Sequence, residues 1–99
     1  MNILEFIRQG GKCKSAAGHW FHLTDIVEGE QYPIKGTLIH NNEPFKYEWA
    51  EDGTPSNLPY THCLDLVPVI EVIKYKMVDK KELAKYDNIE DFKSACKTD

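Results

Sequence analysis

Residues 32–49 read YPIKGTLIHNNEPFKYEW, and this stretch decides the fold. From Tyr32 to His40 the side chains alternate, with Tyr32, Ile34, Gly36, Leu38 and His40 on one face and Pro33, Lys35, Thr37 and Ile39 on the other. That period of two is a strand's. Asn41 and Asn42 tolerate left-handed backbone geometry, so the chain reverses there. Phe45, Tyr47 and Trp49 then alternate with Lys46 and Glu48 in the clearest period-two segment of the chain. Pro33 has no N–H to give a ladder and belongs at a strand start or edge. Gly36 in mid-strand marks a bulge or bend, the device by which small sheets curl toward barrels.

Working outward, Asn2 to Gln9 carries a cap at Asn2, an apolar stripe at Ile3, Leu4, Phe6 and Ile7, and a stop at Gly10-Gly11. Two helical turns are marginal alone in water, so the stripe docks as a lid on the sheet. Lys12–Ser15 and His19–Ile26 form a hairpin about Ala16-Ala17-Gly18, with Trp20, His22, Thr24 and Ile26 on one face of its second arm. Asp52-Gly53 is a turn, and the stretch from Thr54 to Pro59, with Pro55 and Pro59, is an exposed loop. Cys63–Val67 is an apolar entry, Pro68 interrupts pairing, and Val69–Met77 forms a last strand. Asp79 with Glu82 opens a helix that buries Leu83, Ala84 and Tyr86, and Asn88 caps a second carrying Ile89, Phe92 and Cys96.

The expected fold is therefore α+β: a small curved antiparallel sheet of about five strands, curling toward a partly open barrel, with an N-terminal helix and C-terminal helices packed on it. Ninety-nine residues make one domain, with residues 10–77 as its β-rich unit and 78–99 as a helical tail.

Charge excludes a class of function. The net charge is −4, whereas generic nucleic-acid binding needs a basic stripe to release counterions. Between Asp25 and Glu71 nine carboxylates face only Lys35 and Lys46, a local net charge of −7, so the remainder of the chain is mildly basic. Such asymmetry offers an acidic face that steers a basic partner. Cys13, Cys63 and Cys96 are widely spaced, with no Cys-x-x-Cys pair and no leader ahead of them, which points to a reducing cytoplasm. No apolar run approaches the roughly 20 residues that span a bilayer, so no membrane association is expected.

Gly11, Lys12, Cys13, Lys14 and Gly18 in the first hairpin are followed by Tyr32, Pro33, Ile34 and Gly36. Tyr47 and Trp49 then precede Asp52-Gly53, and Leu64, Asp65, Leu66 and Val67 close the series. The order resembles that of small β-rich accessory proteins encoded by bacteriophages and prophages, in which a Tyr-Pro strand leads to an aromatic strand, an Asp-Gly turn and a Leu-Asp-Leu segment. The resemblance spans residues 10 to 70 and leaves 78–99 outside it. It implies a phage accessory product without an assigned biochemical activity, working in the host cell cytoplasm.

His19, His22, His40, His62, Cys13 and Cys63 supply nitrogen and sulfur ligands, but their spacing opposes a metal site. His19 and His22 differ by three on a strand and point apart, and His62 and Cys63 diverge likewise. Cys63 precedes an apolar run and is expected in the core rather than as a nucleophile beside His62 or His40. Gly10-Gly11 lacks the lysine and hydroxyl spacing of a phosphate loop, so no catalytic residue and no cofactor are assigned.

The partner-binding candidates are Glu48, Glu51 and Asp52, from the acidic segment, and Trp49 and Tyr60 as aromatic anchors. Tyr47 and Trp49 also suit a buried strand face, while Tyr60 lies in the proline-bearing loop. The expected function is non-enzymatic inhibition of a host protein, with a component of an antiviral defence system as the target. The alternative is sequestration of a nucleotide stacked on rings such as Trp20 and Tyr32, with Lys74 and Lys76 nearby. Unpaired strand edges would also favour a homodimer.

Overall fold

The computed structural model describes residues 1–56, 62–71 and 75–97. Helix α1, Ile3–Arg8, is capped by the Asn2 side chain, which accepts from the Glu5 N–H at 2.8 Å. It ends in a Schellman turn: Gly10, at φ 91°, donates to the Ile7 carbonyl and Gly11 to that of Phe6. Strands β1 (Lys12–Ser15), β2 (Phe21–Ile26), β3 (Ile34–His40), β4 (Glu43–Trp49), β5 (Leu66–Glu71) and β6 (Tyr75–Met77) follow, then α2 (Lys80–Leu83) and α3 (Ile89–Lys97).

The α+β class holds, but the strands divide between two antiparallel sheets of three, ordered β1-β5-β6 and β2-β3-β4, rather than forming one sheet of about five. A single bridge between Lys14 and Trp20 joins the sheets through the first hairpin. Beyond it β1 and β2 part, because β1 pairs with β5 and β2 with β3. The segment expected as one strand, Val69–Met77, belongs to two that pair with each other, Val69 opposite Met77 and Glu71 opposite Tyr75. No Gly, Pro or Asn stands between Glu71 and Tyr75 to signal a reversal.

Pro68 does not stop β5; it lies inside the strand, opposite Cys13. Its carbonyl accepts from Val78 at 2.9 Å, so its ring nitrogen also faces the β6 side, since both groups of a residue point the same way in an antiparallel strand. The missing donor therefore falls where β6 ends, and pairing with β1 is intact.

The hairpin of β3 and β4 turns on Asn41 and Asn42, both left-handed at φ 52° and 65°. The expected bulge is present, in the strand beside Gly36: the β2 register shifts between Leu23 and Asp25. That extra residue overturns the simple alternation of β2. Phe21, Leu23 and Ile26 now oppose Leu38, Gly36 and Ile34 and share their face, so Ile26 joins Phe21 rather than Trp20 and His22. Phe21 lies over Gly36, where a Cβ would sit 2.5 Å from the His22 carbonyl oxygen and inside the Phe21 ring.

Among the described residues one core runs through both sheets and the helices. It joins α1 (Ile3, Phe6), the sheets (Ile34, Leu38, Trp49, Leu66, Ile70) and residues after Met77, namely Leu83, Ile89 and Phe92. Phe92 is fully buried and meets Phe6 edge to face at 5.6 Å and Tyr86 at 5.9 Å. The Asp79 carboxylate caps α2 at Lys81, the Asn88 side chain caps α3 at Asp91, and the Ile89 N–H donates to the Gln9 side chain of α1 at 2.7 Å. Among the described residues no helix is long and apolar enough to cross a membrane.

Candidate functional site

The acidic segment does not form one surface. Glu48, on β4, holds Lys35 at 2.9 Å, and Lys35 takes Glu30 at the same distance; these two bonds hold the lysine pKa above its ordinary value. Asp52 lies in a different groove, with Asn2 and Lys80, while Glu48 lines one with Lys35 and Lys46. Partial burial raises the pKa of Asp52, but the bonds from Thr54 and the charge of Lys80 outweigh it and leave a net depression. Its carbonyl accepts from Lys80, and that of Glu51 accepts from Leu4, so this turn fastens α1 and α2 to the sheet. Arg8 pairs with Glu28, and Lys80 stands 3.8 Å from Asp65. Of the segment's acids, Glu28 and Asp65 thereby meet cations from outside it, and Glu30 and Glu48 share Lys35.

Trp49 is 0% exposed, so it cannot be a partner-binding residue. Its indole N–H donates to the Leu64 carbonyl at 2.8 Å and its ring packs edge to face on Phe21 at 5.1 Å. Aromatic spacing on β4 identified the strand face correctly, but burial grades along it, from exposed Phe45 through half-buried Tyr47 to Trp49. Tyr60 lies outside the described residues, as does Lys74. Cys63 is exposed, not in the core; the buried thiol is Cys13, which burial pushes up to about 12.

Large apolar side chains that reach solvent gather elsewhere. Strand β1 alternates exposed Lys12 and half-buried Lys14 with buried Cys13 and Ser15, so both lysines stand on the outer face of the β1-β5-β6 sheet. Trp20 bridges to Lys14 on that face, and register adds Val69, Tyr75 and Met77. The rings of Trp20 and Tyr75 meet edge to face at 4.7 Å. The Lys14 ammonium sits 4.5 Å from the centre of the Trp20 ring and that of Lys12 5.3 Å from the centre of Tyr75, with a 3.4 Å contact to its hydroxyl.

Where β2 leaves β1, this face opens into a groove of about 490 Å³ lined by Lys12, Trp20, Phe21, His22, Leu23 and Tyr75. Leu23 is 46% exposed, Tyr75 44% and Met77 38%. Among the described residues, Lys12 lines the groove, Lys14 lies over its Trp20 ring, and Glu71 pairs in register with its Tyr75. Lys76 opposes Ile70, on the other side of the sheet from Tyr75, so it does not serve these rings. In the sequence, only the alternation of lysines with small residues on β1 marked this face, because its aromatic members are 55 residues apart.

The histidines do not converge as a ligand set. His19 and His40 meet ring to ring at 4.5 Å beside exposed Phe45, while His22 stands at the other groove. Among the described residues no three of His, Cys, Asp and Glu gather closely enough to hold a metal ion. Comparison of the chain with protein-family models, curated protein sequences and solved structures returns no match.

Proposed function

We propose that this chain is a non-enzymatic binding protein, an accessory product of phage type that occupies a host protein in the host cytoplasm and blocks it. The observation that supports this is the groove where β2 leaves β1, at which Trp20, Leu23 and Tyr75 come to the surface together, with exposed Met77 on the same sheet face as Tyr75. Trp and Tyr carry much of the binding energy at protein interfaces, and a cluster of solvent-reaching apolar side chains is characteristic of a surface that awaits a partner. The resemblance to phage accessory proteins is what suggests a host target, with a component of an antiviral defence system first among them. The acidic residues Glu48, Glu51 and Asp52 supply long-range steering in this reading rather than the contact itself.

Nucleotide sequestration suits this face less well. Base stacking needs an open ring face, and here one face of each ring carries a lysine ammonium while the two rings lie edge to face rather than parallel. The test is comparative capture from host lysate with the unmodified protein and with Leu23→Asp/Tyr75→Ala. A host protein retained by the first, lost with the second, and inhibited by stoichiometric addition of the purified chain supports the proposal. Equal retention of every host protein by the two rejects this face as the contact.

A further inference from the structure

The partner segment has a definite chemistry. Arg8, Lys35, Lys80 and Lys85 each stand against a carboxylate. Lys12 and Lys14 instead rest on aromatic rings, beside a groove where Leu23 and Tyr75 are also exposed. An ammonium on a ring keeps donors free for an incoming anion, and a ring already in place lowers the cost of ordering the long side chain. We infer that the groove between β1 and β2 takes an acidic peptide segment of a partner protein, an apolar residue seated against Leu23 and Tyr75 and flanking carboxylates on Lys12 and Lys14.

This rests on the proposed host-protein function and reverses its electrostatic sense. The chain as a whole is acidic and would steer a basic partner, yet the contact face is cationic. Among the described residues Lys12 and Lys14 outnumber the carboxylate of Glu71 there, and His22 adds no negative charge. Carboxylate recognition at such a site is short-range, felt inside the Debye length of about 8–10 Å at ordinary salt, where these lysines are the nearest charges.

The experiment uses a capped octapeptide with a central Leu-Phe pair flanked by four Asp and Glu residues, and a control in which every carboxylate is the corresponding amide. Trp20 emission reports binding, since Trp49 is sealed in the core. The acidic peptide is expected to bind about tenfold tighter than the amide control, to weaken with added salt, and to lose about tenfold on Lys12→Glu or Lys14→Glu. Far-UV circular dichroism of these surface variants monitors their folding. Equal binding of acidic and amide peptides overturns the inference, as does no binding of either. Stronger quenching by ATP than by the acidic peptide overturns it in favour of a nucleotide. Host capture that still depends on Leu23 and Tyr75 would, in either case, leave the proposed function standing; only capture indifferent to those residues removes both.

Discussion

Replacing Phe92 by alanine tests whether the residues after Met77 are structural. Phe92 is 0% exposed and wedged between Phe6 and Tyr86. Withdrawing a buried ring forfeits about 1.5–3 kcal/mol of transfer free energy, and each well-oriented ring pair adds about 0.5–1.5 kcal/mol. The cavity left behind brings the expected loss to about 3–5 kcal/mol, the usual cost of a buried Phe-to-Ala change. A domain of this size holds a total stability of about 5–15 kcal/mol, so the variant should be close to unfolding. Urea denaturation followed by circular dichroism measures the loss, with Ser94→Ala on the exposed side of α3 as a control near zero. Phe6→Ala combined with Phe92→Ala should cost less than the two separately, because each removes the other's partner. A loss below about 1 kcal/mol for Phe92→Ala would show that α3 does not belong to the core, and the packing account would fail.

Three further outcomes follow from the same packing. Gly36→Ala drives a Cβ into the Phe21 ring and the His22 carbonyl, so it should cost about 1–3 kcal/mol in urea unfolding, and a neutral result would mean the β2 bulge adapts freely. Burial raises the Cys13 thiol from 9.0 to about 12, so above pH 9 the unfolded chain gives up a proton that the folded chain keeps. Stability is complete below that pH and should fall by up to about 1.4 kcal/mol per pH unit as pH rises between the two values. The slope difference between the unmodified protein and Cys13→Ala isolates this from lysine and tyrosine titration; identical slopes would refute the burial. In the folded protein at neutral pH, alkylation should reach exposed Cys63 and spare Cys13.

Local chemistry was legible from residues alone wherever it is decided within a few positions. Asn2, Asp79 and Asn88 announce their helices because a cap needs only an oxygen and a free N–H two or three residues away. Asn41-Asn42 announces the hairpin because left-handed geometry is a property of the residue itself. Gly36 announced a bulge, although the extra residue sits in the neighbouring strand, where the sheet tolerates it because Gly36 leaves room for Phe21.

Tertiary structure decided what depends on pairs far apart in the chain. Pro68 looked like an interruption because a missing donor is a local fact, but the side of the strand it faces is not. Glu48 and Asp52 looked like one acidic patch because only three residues separate them, and the turn between sends them to different grooves. Trp49 looked like an anchor until pairing with β3 put it over Ile34 and closed the core on it. The Lys12, Trp20 and Tyr75 face exists only because β6 folds back on β5, carrying Tyr75 across the sheet to Trp20. Periodicity shows that a strand has two faces; which face meets the core, and which meets a partner, is set by the strands it pairs with.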